Sequence, residues 1–498
     1  MGLRVAFLAA ECEPWAKTGG LADVVDALAR ALGGLPGGAI DGPVDVYLPR
    51  YRGVPEPPAG SVLGQTLLEV PDPRARTGSS AVTVVDVAAN GYRLRLIDHA
   101  PAFDRVGFYG DADGDYADNA WRFGLYCRAA LEAIRVDGRP VDVLHLHDWQ
   151  AGPAAVFRSM RYADEPVIAR AAMVTTLHNL AYHGWTGNAA LTGLGLRPGD
   201  NAPGQNADGI DLLAAAIESA EIVNTVSPGY AREALTPKFG MGLDALLRSR
   251  GDRFIGILNG LDSVVWDPAT DRDLAAGYEL GDRSGKVACR ADLLTRVGFD
   301  ADDHGPVIGM IGRLDPQKGF DLLAGAARTL VPRGARLIVQ GSGDPALADG
   351  FRALAGASPR SVAFIERFDR AMARRIYAGA DFFAMPSRFE PCGQGQMIAL
   401  RYGTPPIVHR TGGLADTVMD ETLHSGEGTG FVFEDTTIAG LVAACERAFA
   451  FRAAGGEPWE ALLDRGMAVD FDWVTGSAST YVEAYRRAVA IRRSERGP

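Results

Sequence analysis

The hexapeptide TGGLAD stands at residues 18–23 and again, letter for letter, at residues 411–416, each time ahead of helix-forming residues. A Gly-Gly pair lets the backbone pass close to a ligand, or through a turn of positive φ, without a Cβ clash. Ahead of a helix it presents N–H groups and the positive end of the helix dipole, which together attract an anion. One copy alone is an ordinary turn as readily as a binding loop. Two copies in matching contexts, one near each end of the chain, point to two nucleotide-type domains.

The sequence between the copies fits that reading. Short apolar, β-branched runs predict strands at 4–9, 45–48, 92–97, 143–147, 173–177, 222–225 and 254–258. After Asn259-Gly260 the rhythm restarts with 307–311, 336–340, 362–365, 382–385, 406–408 and 430–433. Helical stretches intervene, among them 22–32, 119–134, 321–330, 371–379 and 396–402. Continuous apolar strands alternating with helices mean parallel sheets with right-handed crossovers. The expectation is an α/β protein of two Rossmann-like domains, 1–258 and 259–472, with a terminal amphipathic helix in 473–498. Residues 34–60, rich in Pro and Gly, read as loop rather than linker.

A chain of 498 residues is too long for one core. Its net charge of −12 argues against nucleic acid or a membrane surface as partner, because both need a basic face. An anionic ligand therefore has to be held by a few local cations. The five cysteines (Cys12, Cys127, Cys289, Cys392, Cys445) are scattered and lack CxxC spacing, which fits a reducing, cytoplasmic setting without disulfides or zinc. The start LRVAFLAA, ended by Glu11, reads as a buried strand rather than a signal peptide. No run approaches the ~20 apolar residues of a membrane span.

Polar clusters fall at the carboxyl ends of the predicted strands, where open α/β sheets bind ligands. HLHDW ends 143–147, TLHNLAYHG ends 173–177, GRLDPQKG follows 307–311, GSGD follows 336–340 and PSRFEPCGQGQ follows 382–385. Arg313 and Lys318 flank a turn containing Pro316, an arrangement that brings a guanidinium fork and a point charge onto one diphosphate. Taken alone the pair is equally a solvated turn, and His178 is equally a buried histidine satisfied by hydrogen bonds. His145 and His147 share a strand face that Asp148 does not, so HLHDW reads as a polar network rather than a metal site. Cys392 beside Glu390 has no histidine base near it in sequence and reads as a packed wall or backbone donor, not a nucleophile.

Together the strings KTGGLADVV, HLHDWQAG, TLHNLAYHG, TVSPGYARE, GILNGLDSVVWDPATD, GRLDPQKGFDLL, PSRFEPCG, RYGTPPIV and RTGGLADTV resemble the bacterial glycogen synthase and plant starch synthase family of retaining glycosyltransferases. The resemblance runs in one order from about Arg4 to about Tyr485. It implies a GT-B fold, with two Rossmann-like domains facing a deep cleft and a C-terminal helix crossing back to the first. It implies glucose transfer from ADP-glucose to the non-reducing end of an α-1,4-glucan (glycogen or a maltooligosaccharide), with no cofactor and no metal. Residue by residue it implies that Lys17 and the Gly19-Gly20 backbone approach the donor phosphates, with Asp23 bracing that loop. Arg313 and Lys318 neutralise the diphosphate, while Thr411, Gly412, Gly413 and Leu414 form the second loop and offer backbone N–H groups. His178 lies beside the transferred glucose, Glu390 holds its hydroxyls, and Cys392 and Gly393 line the far side. Asp148 and Asn179 contact sugar or acceptor.

Four positions depart from the family pattern: Ala214 where relatives carry a lysine, Gln394-Gly395 in the stretch after the cysteine, Cys289-Arg290 for an NK pair, and Ile398 for a second glutamate. The Ala214 and Gln394 departures leave room for another donor such as UDP-glucose or another acceptor, while Lys17, His178, Arg313, Lys318 and Glu390 together weigh against a glucan-binding relative without catalysis.

Overall fold

The computed structural model describes residues 2–496, which divide into two compact units: 2–226 with 231–260 and 473–496, and 227–230 with 261–472. Each unit is built on one sheet.

The first sheet has nine strands: β1 (Val5–Leu8), β2 (Val44–Pro49), β3 (Val62–Pro71), β4 (Ser79–Ala88), β5 (Tyr92–Asp98), β6 (Val143–His147), β7 (Ala172–Leu177), β8 (Ile222–Thr225) and β9 (Phe254–Gly256). Their order is β9-β8-β7-β6-β1-β2-β5-β4-β3. Every strand from β9 to β5 runs parallel to its neighbours, and β1, β2, β6, β7 and β8 are buried along their whole length. That is what an apolar run flanked by crossover helices requires.

β3 and β4 add an antiparallel hairpin at one edge, in register from Gly64↔Asp86 to Pro71↔Ser79. A search for continuous apolar runs passes over them, because an edge hairpin with one wet face alternates instead. β3 keeps Leu68 and Val70 buried and leaves Leu63 and Leu67 exposed. A charged ladder ties this edge to the parallel core: Arg93 grips Asp45 at 2.6 and 2.7 Å, and buried Arg95 bonds Asp86 at 2.8 Å and the Tyr47 hydroxyl at 2.6 Å.

The second sheet is entirely parallel. Its strands β10 (Val307–Ile311), β11 (Arg336–Gln340), β12 (Val362–Ile365), β13 (Phe382–Met385), β14 (Pro406–His409) and β15 (Phe431–Phe433) lie in the order β12-β11-β10-β13-β14-β15. Phe320, Phe351, Phe382 and Phe431 fill the layer between this sheet and its helices. In both sheets the order reverses beside the first strand of the unit, so the loops after β1 and β6, and after β10 and β13, open at the switch points where α/β sheets bind ligands.

The terminal helix spans Ser477–Arg496 and belongs to the first unit. It is held by Arg492, which donates to the Ala169 carbonyl at 2.7 Å and lies 3.5 Å from Glu221. Glu221 is buried, with Arg158 at 3.2 Å and the Met173 N–H at 2.5 Å. Removing one charge of a buried pair strands the other. Glu221→Gln is therefore expected to lower the stability of this unit by about 3 kcal/mol, read as unfolding at lower urea than the wild type.

Candidate active site

In the first unit the loop after β1 is organised by Glu11, a buried carboxylate that closes the apolar run 3–10. It accepts the Thr18 N–H at 2.6 Å, the Thr18 hydroxyl at 2.5 Å, the Gly19 N–H at 3.1 Å and the Tyr109 hydroxyl at 2.6 Å. Sequence reasoning missed this role. The available signal was a charge placed at the carboxyl end of a strand with no water around it. Lys17 stands on the outer side of the loop, 2.6 Å from Asp23 and 3.4 Å from Glu13, with its side chain 38% exposed. Gly19 is extended and Gly20 opens the helix Gly20–Gly34. A Cβ at either position would meet nothing within 4 Å. No packing inside the protein requires these glycines, so the room they leave is open to a ligand.

β6 and β7 deliver the second cluster. Asp148 follows β6 with φ of 57°, a left-handed backbone that is costly outside glycine and concentrates at functional sites. The strain buys a turn that aims its carboxylate at the end of β7, where it accepts the His178 N–H at 2.7 Å and also bonds the Asn179 N–H. Burial nevertheless dominates and pushes the Asp148 carboxyl up to about 7, with the Glu11 charge adding to the rise. Asn179 uses its side-chain oxygen on the Ala181 N–H at 3.0 Å, which fixes the loop and leaves its amide N–H₂ as the group able to meet a sugar. Burial pulls His178 down to about 3, and His145 and His147 well below the ordinary imidazole range, so all three rings are neutral at physiological pH. His145, His147 and His178 form the polar network expected of HLHDW. Among the described residues no group of three or more His, Cys, Asp or Glu side chains is placed to hold a metal ion.

In the second unit the loops after β10 and β13 are fastened together. Lys318 ends the short turn Pro316–Lys318, which Asp315 caps by accepting the Gln317 N–H at 2.8 Å. Its ammonium bonds both oxygens of Glu390, at 2.7 and 2.9 Å, and the Ser387 hydroxyl donates to the same carboxylate at 3.0 Å. Arg388 reinforces the junction through Asp321 at 2.7 and 2.8 Å. Gly319, at φ of 72°, lies so close to the Pro386 carbonyl that a Cβ would sit 2.1 Å from it. Lys318 is thus balanced by Glu390, and the cation that faces outward is Arg313, 57% exposed and 3.7 Å from Asp315.

The second hexapeptide differs physically from the first. Gly413 N–H donates to the Glu390 carbonyl and Leu414 N–H to the Thr411 carbonyl, each at 3.0 Å. Those two donors are spent within the protein, contrary to the expectation that they are offered to a ligand. The glycines serve close approach instead: a Cβ on Gly412 would lie 2.0 Å from the Glu390 oxygen, and one on Gly413 2.2 Å from the Cys392 oxygen. Thr411 is buried beneath them. Cys392 is buried too, and Gly393 takes φ of 72°. Gln396 pins this turn by donating to the Cys392 and Gly393 carbonyls and the Thr417 hydroxyl at 3.0 to 3.1 Å. Of the departures, Cys289 and Arg290 are structural: the thiol bonds the Ala276 carbonyl at 3.2 Å and the guanidinium bonds the Gly305 carbonyl at 2.8 Å.

Residues 4–249 match the family model described as the starch synthase catalytic domain, and residues 305–450 match that of glycosyl transferases group 1. A glycogen synthase of Anaeromyxobacter dehalogenans is 42% identical over 489 residues, 97% of this chain and 99% of the relative. One of Syntrophotalea carbinolica is 38% identical over 492 residues, 98% of this chain and 99% of the relative. The chain belongs to the glycogen and starch synthase family. Among solved structures, the catalytic domain of starch synthase IV from Arabidopsis thaliana, bound to ADP and acarbose, superposes with a TM-score of 0.86 at 34% identity, covering 98% of this chain and 100% of that one. The GT-B architecture of this glycosyltransferase family is therefore the architecture of this chain.

Within that family fold, Asp148 carries a built-in test. Its folded pKa of about 7 lies above its ordinary 3.8. The unfolded chain therefore gives up its proton first, and the carboxyl draws stability away as pH climbs from about 4 to about 7. Below about 4 both states are protonated and the effect is absent. Asp148→Asn, which cannot ionise, is expected to melt higher than the wild type at pH 8, to lose that advantage near pH 4, and to lose activity at both. Thermal unfolding across that range checks it.

Proposed function

We propose that this glycogen/starch synthase family member transfers glucose from ADP-glucose to the non-reducing end of an α-1,4-glucan, with retention at the anomeric carbon. One observation carries the reading: Glu390 is buried, yet held by Lys318 at 2.7 and 2.9 Å and by Ser387 at 3.0 Å. A buried, oriented carboxylate bonded to an ammonium suits a ligand that has hydroxyls at one end and phosphate at the other. The ADP and acarbose in the starch synthase IV structure support the same pairing of a nucleotide with an oligosaccharide. The cysteines Cys12, Cys127, Cys289, Cys392 and Cys445 are all free and buried, which suits a reducing compartment such as the cytoplasm.

The roles follow from charge. Cleavage of the glycosyl–phosphate bond leaves a diphosphate and an oxocarbenium-like carbon. Arg313 acts on the leaving diphosphate, and Lys17 supplies a second exposed cation. Oriented donors of this kind act mainly on the transition state. Lys318 sets the rotamer of Glu390, which orients the sugar. A neutral His178 accepts or donates a hydrogen bond at the sugar without repelling the developing positive carbon. Retention follows the same-face route that the family resemblance implies, in which the departing phosphate itself takes the acceptor's proton.

Turnover with ADP-glucose and with UDP-glucose, with and without glycogen, tests this directly. Glucan elongation from ADP-glucose is expected, and donor loss without elongation would refute it. Arg313→Ala is expected to lower turnover about a hundredfold, or ~3 kcal/mol of transition-state stabilisation, with the fold intact. Lys318→Ala is expected to match that loss in rate and also to destabilise the unit, because it strands Glu390.

With protein cations on the diphosphate, exhaustive chelation is expected to leave the rate within about twofold, where loss of a catalytic metal would cost several kcal/mol. Abolition of activity by a chelator, reversed by Mg²⁺ or Mn²⁺, would overturn that expectation.

A further inference from the structure

Arg122 is a fully buried cation that glucosyl transfer does not itself use. Among the described residues no carboxylate bonds its guanidinium. Its Nε donates to the Ala102 carbonyl at 2.7 Å, and its Nη1 to the Phe108 carbonyl at 2.9 Å and to Asn119 Oδ1 at 2.7 Å. The rings of Tyr116, Phe123 and Phe103 stand 4.9, 5.5 and 5.8 Å from its Cζ, aromatic faces in the place of a counter-ion. Burial still pulls the guanidinium below its ordinary range. A cation kept this way is costly. What it holds is the segment 104–118, between the short helix Ala100–Phe103 and the helix Asn119–Asp137.

That segment is gripped on both sides of one residue. The Phe108 carbonyl belongs to the peptide plane before Tyr109, and Arg122 takes it. The Tyr109 carbonyl belongs to the plane after it, and accepts from Asn119 Nδ2 at 2.8 Å. An arginine N–H can only donate and a carbonyl can only accept, so the Asn119 amide has one orientation. With both planes fixed, the φ and ψ of Tyr109 are fixed, and with them the direction of its side chain. The ring lies beside Phe123, centroids 6.1 Å apart, and the hydroxyl donates to Glu11 Oε1 at 2.6 Å. The Thr18 hydroxyl shares that oxygen, while the Thr18 and Gly19 N–H groups fill Oε2. Each step from Arg122 to Gly19 is a hydrogen bond of settled direction or a covalent neighbour.

We propose that Arg122 is a positioning residue for the loop 17–20: by fixing both peptide planes of Tyr109 it aims the tyrosine hydroxyl at Glu11, which holds the Thr18 and Gly19 amides in place. The consequence for donor binding rests on the role given to Lys17 above, but the link from Arg122 to the loop does not.

The test is amide hydrogen exchange in the full chain, read on the peptide containing Thr18 and Gly19, with the KM values for ADP-glucose and glycogen measured alongside. Arg122→Lys keeps the charge, but one ammonium cannot serve Ala102, Phe108 and Asn119 together. Asn119→Ala and Tyr109→Phe cut later links with the arginine still in place. Each is expected to speed exchange at Thr18 and Gly19 about tenfold, as the loss of one bond to a charged group does. Each is also expected to raise the donor KM about tenfold, with the glycogen KM within about twofold. Adding Arg122→Lys to Tyr109→Phe is expected to change loop exchange by less than about twofold, because the arginine acts through the hydroxyl. Additive effects overturn the proposal, as does unchanged loop exchange in Arg122→Lys or Tyr109→Phe. Where Arg122→Lys does not fold, unchanged loop exchange in Asn119→Ala overturns it. Faster exchange throughout the first unit, in place of a rise confined to the loop, marks a merely structural arginine and overturns it too. Faster loop exchange at an unchanged donor KM upholds the link and counts instead against the loop acting at the donor phosphates.

Discussion

Three carboxylates taken out of water at the carboxyl ends of strands organise the candidate loops of each unit. A buried carboxylate is tolerated only when its lone pairs are filled, and in each case the filling shapes the loop beside it. Glu11 draws in the N–H groups of Thr18 and Gly19 and so folds the first hexapeptide loop against β1. Asp148 takes the N–H groups of His178 and Asn179, which joins the end of β6 to the end of β7. Glu390 takes Lys318 and Ser387, which joins the loop after β10 to the loop after β13. The three differ in what satisfies them. Backbone amides only partly offset the burial of Asp148, whose carboxyl is pushed up to about 7, whereas Glu390 is met directly by the Lys318 ammonium.

The same desolvation acts on the histidines with the opposite sign of charge. An imidazolium at His145, His147 or His178 would be a buried cation beside another ring, so all three stay neutral. For the glucosyl transfer proposed above this is the useful state, because a cationic ring at His178 would oppose positive charge developing on the sugar carbon. The exposed positive charge is carried by residues with water around them, Lys17 in one unit and Arg313 in the other. Burial thus separates neutral polar rings from cations that keep their water.

Identical hexapeptides have come to serve two physical ends. At Gly19 and Gly20 the missing Cβ leaves open space, with no neighbour in the protein that demands it. At Gly412 and Gly413 the missing Cβ lets two stretches of backbone touch, and the constraint comes from Glu390 and Cys392. Sequence identity reported that both loops need glycine; it carried no information on which neighbour makes the demand.

The two α/β units, the parallel strands and the strand-end position of the candidate residues were legible in the sequence, because apolar runs, Gly-Gly turns and strand-end polar clusters are local signals. Lys17, Asp148, His178, Arg313, Lys318 and Glu390 all declare themselves in short strings. Local patterns carry less where a wet face breaks the apolar run, and the hairpin of β3 and β4 went unread for that reason. Partnerships across long stretches of chain were beyond reach of any string: Glu11 with Tyr109, Lys318 with Glu390, and Tyr485 with His145 pair residues 98, 72 and 340 positions apart. Composition and spacing determine which groups this chain possesses. Only the tertiary structure decides which of them lose water, and with that loss which are charged, which are neutral and which way their hydrogens point.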